Sequence, residues 1–364
     1  MHKLIATSTI LEHELSELRL LVERQTGIVL DCPNSALATH VADYVEGQGL
    51  GSTSSLLESL RSPDQDPSRL PLLLDGLIAA NTGFFRHPGA MNALTRQVVP
   101  QLCARKSADG PTPLRFWSAG CATGEETYSI AISVCDALSQ IAGASAAAGN
   151  PPMPATKSSA RNGGIAEAGT VGQSSGTFGW GIHVVGSDLL PGNIETADRG
   201  IYRQSAVEGL PSATIRSYFS KISSPAIAAA STEEEAEVDP RPGRANANGN
   251  ANRNGNAANG TSMAHLLVKP RLRSLVTFNC MNLARPGYIG RFDCIFCMDV
   301  LPHLSRPQRI ALLERLHLYL EPGGYLFLSQ TEKLIASNLN FRSETFDGYT
   351  YHRKPVAASA AYGR

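Results

Sequence analysis

No sign of charge dominates this chain: 32 Lys and Arg stand against 32 Asp and Glu, for a formal net charge of zero. Neither nucleic acid nor an anionic membrane surface is therefore an expected partner. No stretch approaches the apolar length of a membrane span. The opening MHKLIATSTILEHEL lacks the long apolar run and small-residue cleavage site of a secretory signal. The seven cysteines, Cys32, Cys103, Cys121, Cys135, Cys280, Cys294 and Cys297, are odd in number and scattered, without the spacing of a disulfide framework. Such a set suits a reducing compartment, so a cytoplasmic location without membrane insertion is expected. Cys294 and Cys297 have CxxC spacing, but FDCIFCMDV reads as a strand. Side chains three apart on a strand point to opposite faces and cannot share one metal.

What is present is enough for two domains, since 364 residues can enclose a substantial core. Leu11, Leu15, Leu18 and Val22 fall on one helical face, Thr9 and Glu12 have capping-box spacing, and Gly27 can close the helix. Further helices are expected near Ala36–Glu46, Thr53–Leu60 and Leu70–Ala80, making residues 1 to about 105 all-helical. From Leu114 the pattern alternates. LRFWSAG reads as a strand and Glu125–Leu138 as a helix; GIHVVGSD, SLVTFNCMNL, RFDCIFCMDVL and GYLFLS supply further strands, with a last one near Tyr349. Strands alternating with helices predict a parallel-type sheet covered on both faces, over 106–355. Two stretches, Ala142–Thr177 and Ser223–Ser262, are poor in large apolar residues and are expected to be disordered inserts; 356–364 is expected to be a flexible tail.

The first strand–helix turn, FWSAGCATGEETYSI, carries the chemistry. A P-loop needs Lys and Ser/Thr after its last glycine, but Gly124 is followed by Glu125, Glu126 and Thr127. The turn also lacks GxGxxG spacing, and two carboxylates at a helix start suit the dipole but repel a pyrophosphate. S-adenosylmethionine remains: it has a sulfonium and an ammonium, no phosphate, and a ribose diol that takes a carboxylate partner. Asp188, ending the second strand, is placed for that diol. Its separation from Gly120 exceeds the usual spacing of about 20 residues, and the Ala142–Thr177 insert accounts for the excess. Taken singly, Glu125 and Glu126 serve equally well as first-turn helix residues and Asp188 as an N-cap. With Asn282 after the third strand, they share the carboxyl edge of the sheet, where ligands bind.

These segments resemble the chemotaxis receptor glutamate methyltransferases, the CheR family, over most of the chain. TGIVL (Thr26–Leu30), NTGFFRHPGAMNAL, FWSAGCATGEETYSIAI, GSDLLPGNIETADRGIY, LVKPRLRSLVTFNCMNL, FDCIFCMDVLPHL and LEPGGYLFLSQTEKL appear in the family's order. The resemblance implies a Rossmann-like methyltransferase domain preceded by a small all-helical domain, and methylation of glutamate side chains on the cytoplasmic domain of a chemoreceptor or similar signalling protein. It implies cofactor contacts at Thr82, Arg86, Gly120, Glu125, Asp188, Asn282 and Leu283, with Arg86 orienting either the acceptor or the donor carboxylate. A glutamate is already ionised near neutral pH, so positioning and water exclusion carry such a reaction.

Three departures bear on that reading. The family's fourth strand ends in Arg-Asn-Val-Leu-Ile-Tyr-Phe. Here Met298 replaces the arginine, Asp299 the asparagine, and His303 the tyrosine whose hydroxyl lies near the transferred methyl, so His303 is the candidate catalytic partner of Arg86. The stretch matching the family's basic docking helix, NSALATHVADYVEG, holds no Lys or Arg, which weakens electrostatic steering. In some members a small strand subdomain tethers a receptor's C-terminal peptide by edge pairing, and Leu266–Val268 falls in the corresponding region. Two rival readings stay open: a module that binds the donor without efficient transfer, and a methyltransferase for another acceptor with His303 as base.

Overall fold

The computed structural model describes residues 10–62, 68–78, 82–107, 112–147, 180–222, 265–285, 287, 289–335 and 338–356. Five runs rich in β-branched and aromatic residues pair in parallel: β1 (Leu114–Ala119), β2 (Ile182–Asp188), β6 (Val276–Cys280), β7 (Phe292–Phe296) and β8 (Leu320–Phe327). An antiparallel hairpin, β9 (Arg342–Phe346) and β10 (Tyr349–Arg353), completes a seven-stranded sheet of order β6-β2-β1-β7-β8-β10-β9. This mixed, mostly parallel α/β sheet is the architecture expected from the alternating pattern. β7 is buried along its whole length, as a central parallel strand covered on both faces should be. Cys294 and Cys297 are fully buried there, and no metal-holding group of side chains occurs among the described residues.

Helix α7 (Glu125–Ala147) runs past the expected end at Leu138 and takes in the first residues of the Ala142–Thr177 stretch. Alanine has the highest helix propensity, so the Ala-rich sequence extends the helix rather than ending it. The rest of that insert, all of Ser223–Ser262, Thr9 and the tail from residue 357 lie outside the described residues. Helices α1 (Glu12–Thr26), α2 (Asn34–Gly47), α3 (Thr53–Arg61) and α4 (Arg69–Leu74) enclose a leucine core that also takes in Leu190, just past β2. Leu15, Leu18 and Val22 are buried as the periodicity predicts, but Leu11 is 52% exposed because it precedes the first helical turn. Its backbone N–H donates to the Glu14 carboxylate at 3.1 Å. Gly27 closes α1 at φ 76°, donating its N–H to the Glu23 carbonyl at 2.8 Å.

Beyond Gly27 the chain meets the segment after β7. Ile28 and Leu304 form an antiparallel bridge, Val29 N–H donates to the His303 carbonyl at 2.8 Å, and Ser305 N–H donates to Gly27 at 3.2 Å. Asn282, after β6, donates its amide to the Gln25 carbonyl at 2.9 Å. The first helix is thus fastened to the carboxyl edge of the sheet. Helices α5 (Pro88–Ala93) and α6 (Val99–Ser107), joined by a π-helical turn, lead into β1. At the opposite edge Asp293, 1% exposed, accepts from Lys106 at 2.7 Å and from Arg115 N–H at 2.9 Å.

Ile201–Lys269 forms a compact unit of its own. Its sheet has the order β3 (Ile201–Arg203), β5 (His265–Val268), β4 (Phe219–Ile222). The Leu266–Val268 segment is therefore the middle strand, and the outer strands are β3 and β4. No described helix is long and apolar enough to cross a membrane.

Candidate active site

The glycine turn follows β1 directly. Gly120 (φ 85°), Ala122 (φ 46°) and Gly124 (φ 96°) all take left-handed backbone. Gly120 and Cys121 donate their N–H groups to the Ser187 carbonyl at 2.8 and 2.9 Å, and Ala122 N–H donates to Asp188 Oδ2 at 3.0 Å. Three successive donors that a phosphate loop would present to its ligand are turned onto β2 instead. The turn is therefore not an anion cradle. A Cβ on Gly120 would lie 2.5 Å from the Val300 Cγ2, so only glycine fits between the two segments.

Asp188 ends β2 and is the anchor of this edge. Its Oδ1 accepts from Leu190 N–H and from the Asn193 amide, each at 3.0 Å, besides the Ala122 contact on Oδ2. A carboxylate offers about four acceptor positions, so three bonds leave capacity for a ligand hydroxyl. The N-cap position of α8 (Pro191–Arg199) is Leu190, so the alternative in which Asp188 is that helix's N-cap residue is not the one observed.

The two glutamates at the start of α7 divide in role. Glu125 is 8% exposed and accepts from Thr123 Oγ1 at 2.7 Å. Burial pushes its pKa up, against hydroxyl contacts from Thr123 and Thr82. Glu126 accepts from Ser118 Oγ at 2.6 Å and lines the cavity described next. Enclosure by the walls pushes its pKa up to about 7, with Asp299 and Glu332 adding to the rise against the Ser118 bond.

A cavity of about 440 Å³ opens along the carboxyl ends of β1, β2, β6 and β7, within the size range of small-molecule sites. Thr82, Arg86, Gly120, Asp188, Asn282, Leu283 and His303 all lie on its wall, and Glu125 does not. Glu125 still touches the site indirectly, through the hydrogen bond it takes from Thr82. Asn282 ties its own loop, donating to Gln25 and accepting from Ala284 N–H at 2.9 Å. Arg86 pairs with Asp299 at 3.4 Å. His303 is exposed at the rim. Phe84 is buried, whereas Phe85 is held at φ 53° on the cavity wall, its N–H donating to Ser129 Oγ at 2.9 Å. A phenylalanine in left-handed backbone is strained by about 1–3 kcal/mol, and such strain gathers at functional sites.

Sequence reasoning left out His87 and Asn193 as site residues, and Thr26 and Ile28, which also line the cavity; Glu126, weighed as a turn carboxylate, and Asp299, a departure from the family's pattern, lie on it too. Asn193 lies in the same GSDLLPGNI segment as Asp188, and Thr26 and Ile28 lie in the TGIVL motif, so both carried a signal. The cavity fits a nucleoside without phosphate: a small-residue turn whose N–H groups are spent on β2, acceptor capacity on Asp188, and a carboxyl group at Glu126 suited to a cationic donor.

The model of the CheR methyltransferase, SAM binding domain matches residues 80–147 and 254–349. Chemotaxis protein methyltransferase 1 of Pseudomonas aeruginosa is 25% identical over 319 residues, 87% of this chain and 88% of its own length. Chemotaxis protein methyltransferase Cher2 of Pseudomonas putida is 24% identical, covering 88% of this chain and 90% of its own. The solved N-methyltransferase NodS from Bradyrhizobium japonicum aligns with 72% of this chain and 88% of its own at 11% identity, with a TM-score of 0.29.

Proposed function

We infer that this chain, an S-adenosylmethionine-dependent methyltransferase carrying the CheR-type SAM-binding domain, transfers methyl groups to glutamate side chains on the cytoplasmic domain of a chemoreceptor or similar signalling protein. When bound, S-adenosylmethionine supplies an electrophilic methyl on a sulfonium. The residues present divide the remaining work. Asp188, fixed by three hydrogen bonds, accepts from the ribose hydroxyls, and Gly120 gives the donor close approach to the backbone. Glu126 places a carboxyl group facing the donor's positive charge. Arg86 orients the acceptor carboxylate, and His303 at the rim donates a hydrogen bond near the transfer. No base is required, because the acceptor is ionised before it binds. In this reading residues 1 to about 105 form the helical domain, 106–355 the methyltransferase domain, and the reaction takes place in the cytoplasm.

The observation that carries the reading is that Asp188 and Arg86 line one cavity at the carboxyl edge of the sheet. Calorimetric titration of S-adenosylhomocysteine tests it, with Asp188→Ala alongside and melting temperatures to show that the variant is folded. Micromolar binding lost in the variant is the expected result; absent binding by the native chain would end the methyl-donor reading. Transfer is then read as base-labile methyl ester on a receptor fragment. One observation favours a second reading. Arg86 is already paired with Asp299, which suits a donor-binding module that transfers poorly. That module would bind S-adenosylhomocysteine but leave no ester.

A further inference from the structure

The cavity contains an acidic residue where an acidic acceptor is to arrive. Asp299 Oδ2 takes His87 Nε2 at 3.0 Å and Arg86 Nε at 3.4 Å, so two successive basic side chains converge on one oxygen. All three line the cavity, with side chains 35% (Arg86), 21% (His87) and 37% (Asp299) exposed. The carboxylate is held in place from its backbone: Asp299 sits at φ 59°, and its N–H, with those of Leu301 and Ser329, donates to the Glu332 carboxylate. Convergent basic donors on one carboxylate oxygen are the arrangement that recognises a carboxylate.

We propose that Arg86 and His87 form the subsite for the acceptor's glutamate carboxylate, that Asp299 stands in it as a resident competitor, and that His87 must be protonated to admit a second carboxylate. The inference rests on the glutamate reading above and names the residues that select the acceptor. The charges decide it. With His87 neutral, Arg86 and Asp299 cancel, and an incoming carboxylate finds no net positive partner. With His87 protonated, the three carry a net single positive charge. Among the described residues the surrounding groups supply no other cation beside Asp299, so His87 is the group that can offset the local negative charge. Glu126 on α7 and Glu332 after β8 are acidic, Tyr349 on β10 is held neutral by burial, and Asp188 lines the same cavity. Arg86, His87 and His303 are the basic side chains among the described residues on its wall.

The pair has a second chemical use with the opposite pH signature. A neutral imidazole oriented by a carboxylate takes a proton from a hydroxyl or amine acceptor. A cation for a carboxylate makes binding stronger in acid, whereas a base makes transfer faster in alkali.

The probe is N-acetyl-glutamate amide, with its glutamine counterpart as the uncharged control. Each is titrated into the S-adenosylhomocysteine-saturated protein at pH 5.5 and 8.0, followed by NMR of the His87 ring, whose resonance is assigned from its loss in His87→Gln. The glutamate probe is expected to bind about tenfold or more tightly at the lower pH, as a charge partner within a few ångströms gives, and the glutamine probe equally at both. Asp299→Asn should bind the glutamate probe tightly at both pH values, since asparagine also tolerates left-handed backbone. His87→Gln should bind it weakly at both. Binding of the glutamate probe that is independent of pH or stronger at pH 8.0, failure of both native chain and Asp299→Asn to bind it, or native behaviour in His87→Gln would each overturn the proposal. If S-adenosylhomocysteine does not bind, the methyl-donor reading fails, and the same titration without it still decides the subsite.

Discussion

Replacing Gly120 with alanine strikes the turn at its tightest point, and the structure sets the size of the effect. At φ 85° an L-residue is in left-handed backbone, which costs about 1–2 kcal/mol. The new methyl would lie 2.5 Å from Val300 Cγ2, whereas carbon contacts settle at about 3.5–4.0 Å. Val300 must move by about 1 Å, and a β-branched side chain has few alternative rotamers. Overpacking of this kind costs about 1–3 kcal/mol, so the sum is about 2–5 kcal/mol. Urea unfolding of Gly120→Ala, Val300→Ala and the double variant measures it and separates its parts. The double variant should lose the clash and keep the backbone strain, giving a favourable coupling of at least about 1 kcal/mol. Gly143→Ala is the contrast: that helical glycine has nothing within 4 Å of an added Cβ, and the change should stabilise by about 0.5–1 kcal/mol. A Gly120→Ala cost below about 1 kcal/mol, or zero coupling to Val300, would mean that the turn has room for a side chain after all.

Two further substitutions probe the buried carboxyls. The Glu126 pKa is raised to about 7 in the folded chain, so the folded state resists its ionisation. Stability from this group is full below the ordinary glutamate range and is lost as pH rises to about 7. Glu126→Gln should therefore gain on the native chain by on the order of 2 kcal/mol between pH 5 and pH 8; parallel stability–pH curves would contradict the shift. Asp293→Ala leaves Lys106 and Arg105 without their carboxylate at the opposite edge and should cost roughly 3 kcal/mol. S-adenosylhomocysteine affinity should be unchanged in the folded variant, and a loss of affinity at constant fold would tie that edge to the site.

β1, β2 and β7 were legible because each is a largely buried, mostly apolar run bounded by turn residues, while β6, buried only at Val276, was legible from its β-branched and aromatic residues. β9 was missed because RSETF is polar, short and at the sheet edge, so its conformation is set by pairing with β10 rather than by its own composition. Asp188 was legible because it closes a strand beside the first glycine turn. Glu125 and Glu126 illustrate the limit. They are adjacent and chemically alike, yet a helix turns about 100° between them, placing Glu126 on the cavity and Glu125 against Thr123. The contact between His87 and Asp299 spans 212 residues of sequence, and only the closed fold reveals that their charges meet.

The bridge between Ile28 and Leu304 also sets a clock. Gln25 and Asn282 are 257 residues apart in the chain, and Thr26, Ile28, Asn282 and Leu304 all belong to the wall of one cavity. A ribosome adds about 5–20 residues per second, so the first helix waits roughly 10–50 s after its own synthesis before its counterpart exists. Until then the helix can pack on its helical neighbours, but the Ile28 segment has no sheet edge to close on. The cavity is consequently not completed until Leu304 has been made, and a nascent chain cannot enclose the methyl donor before then.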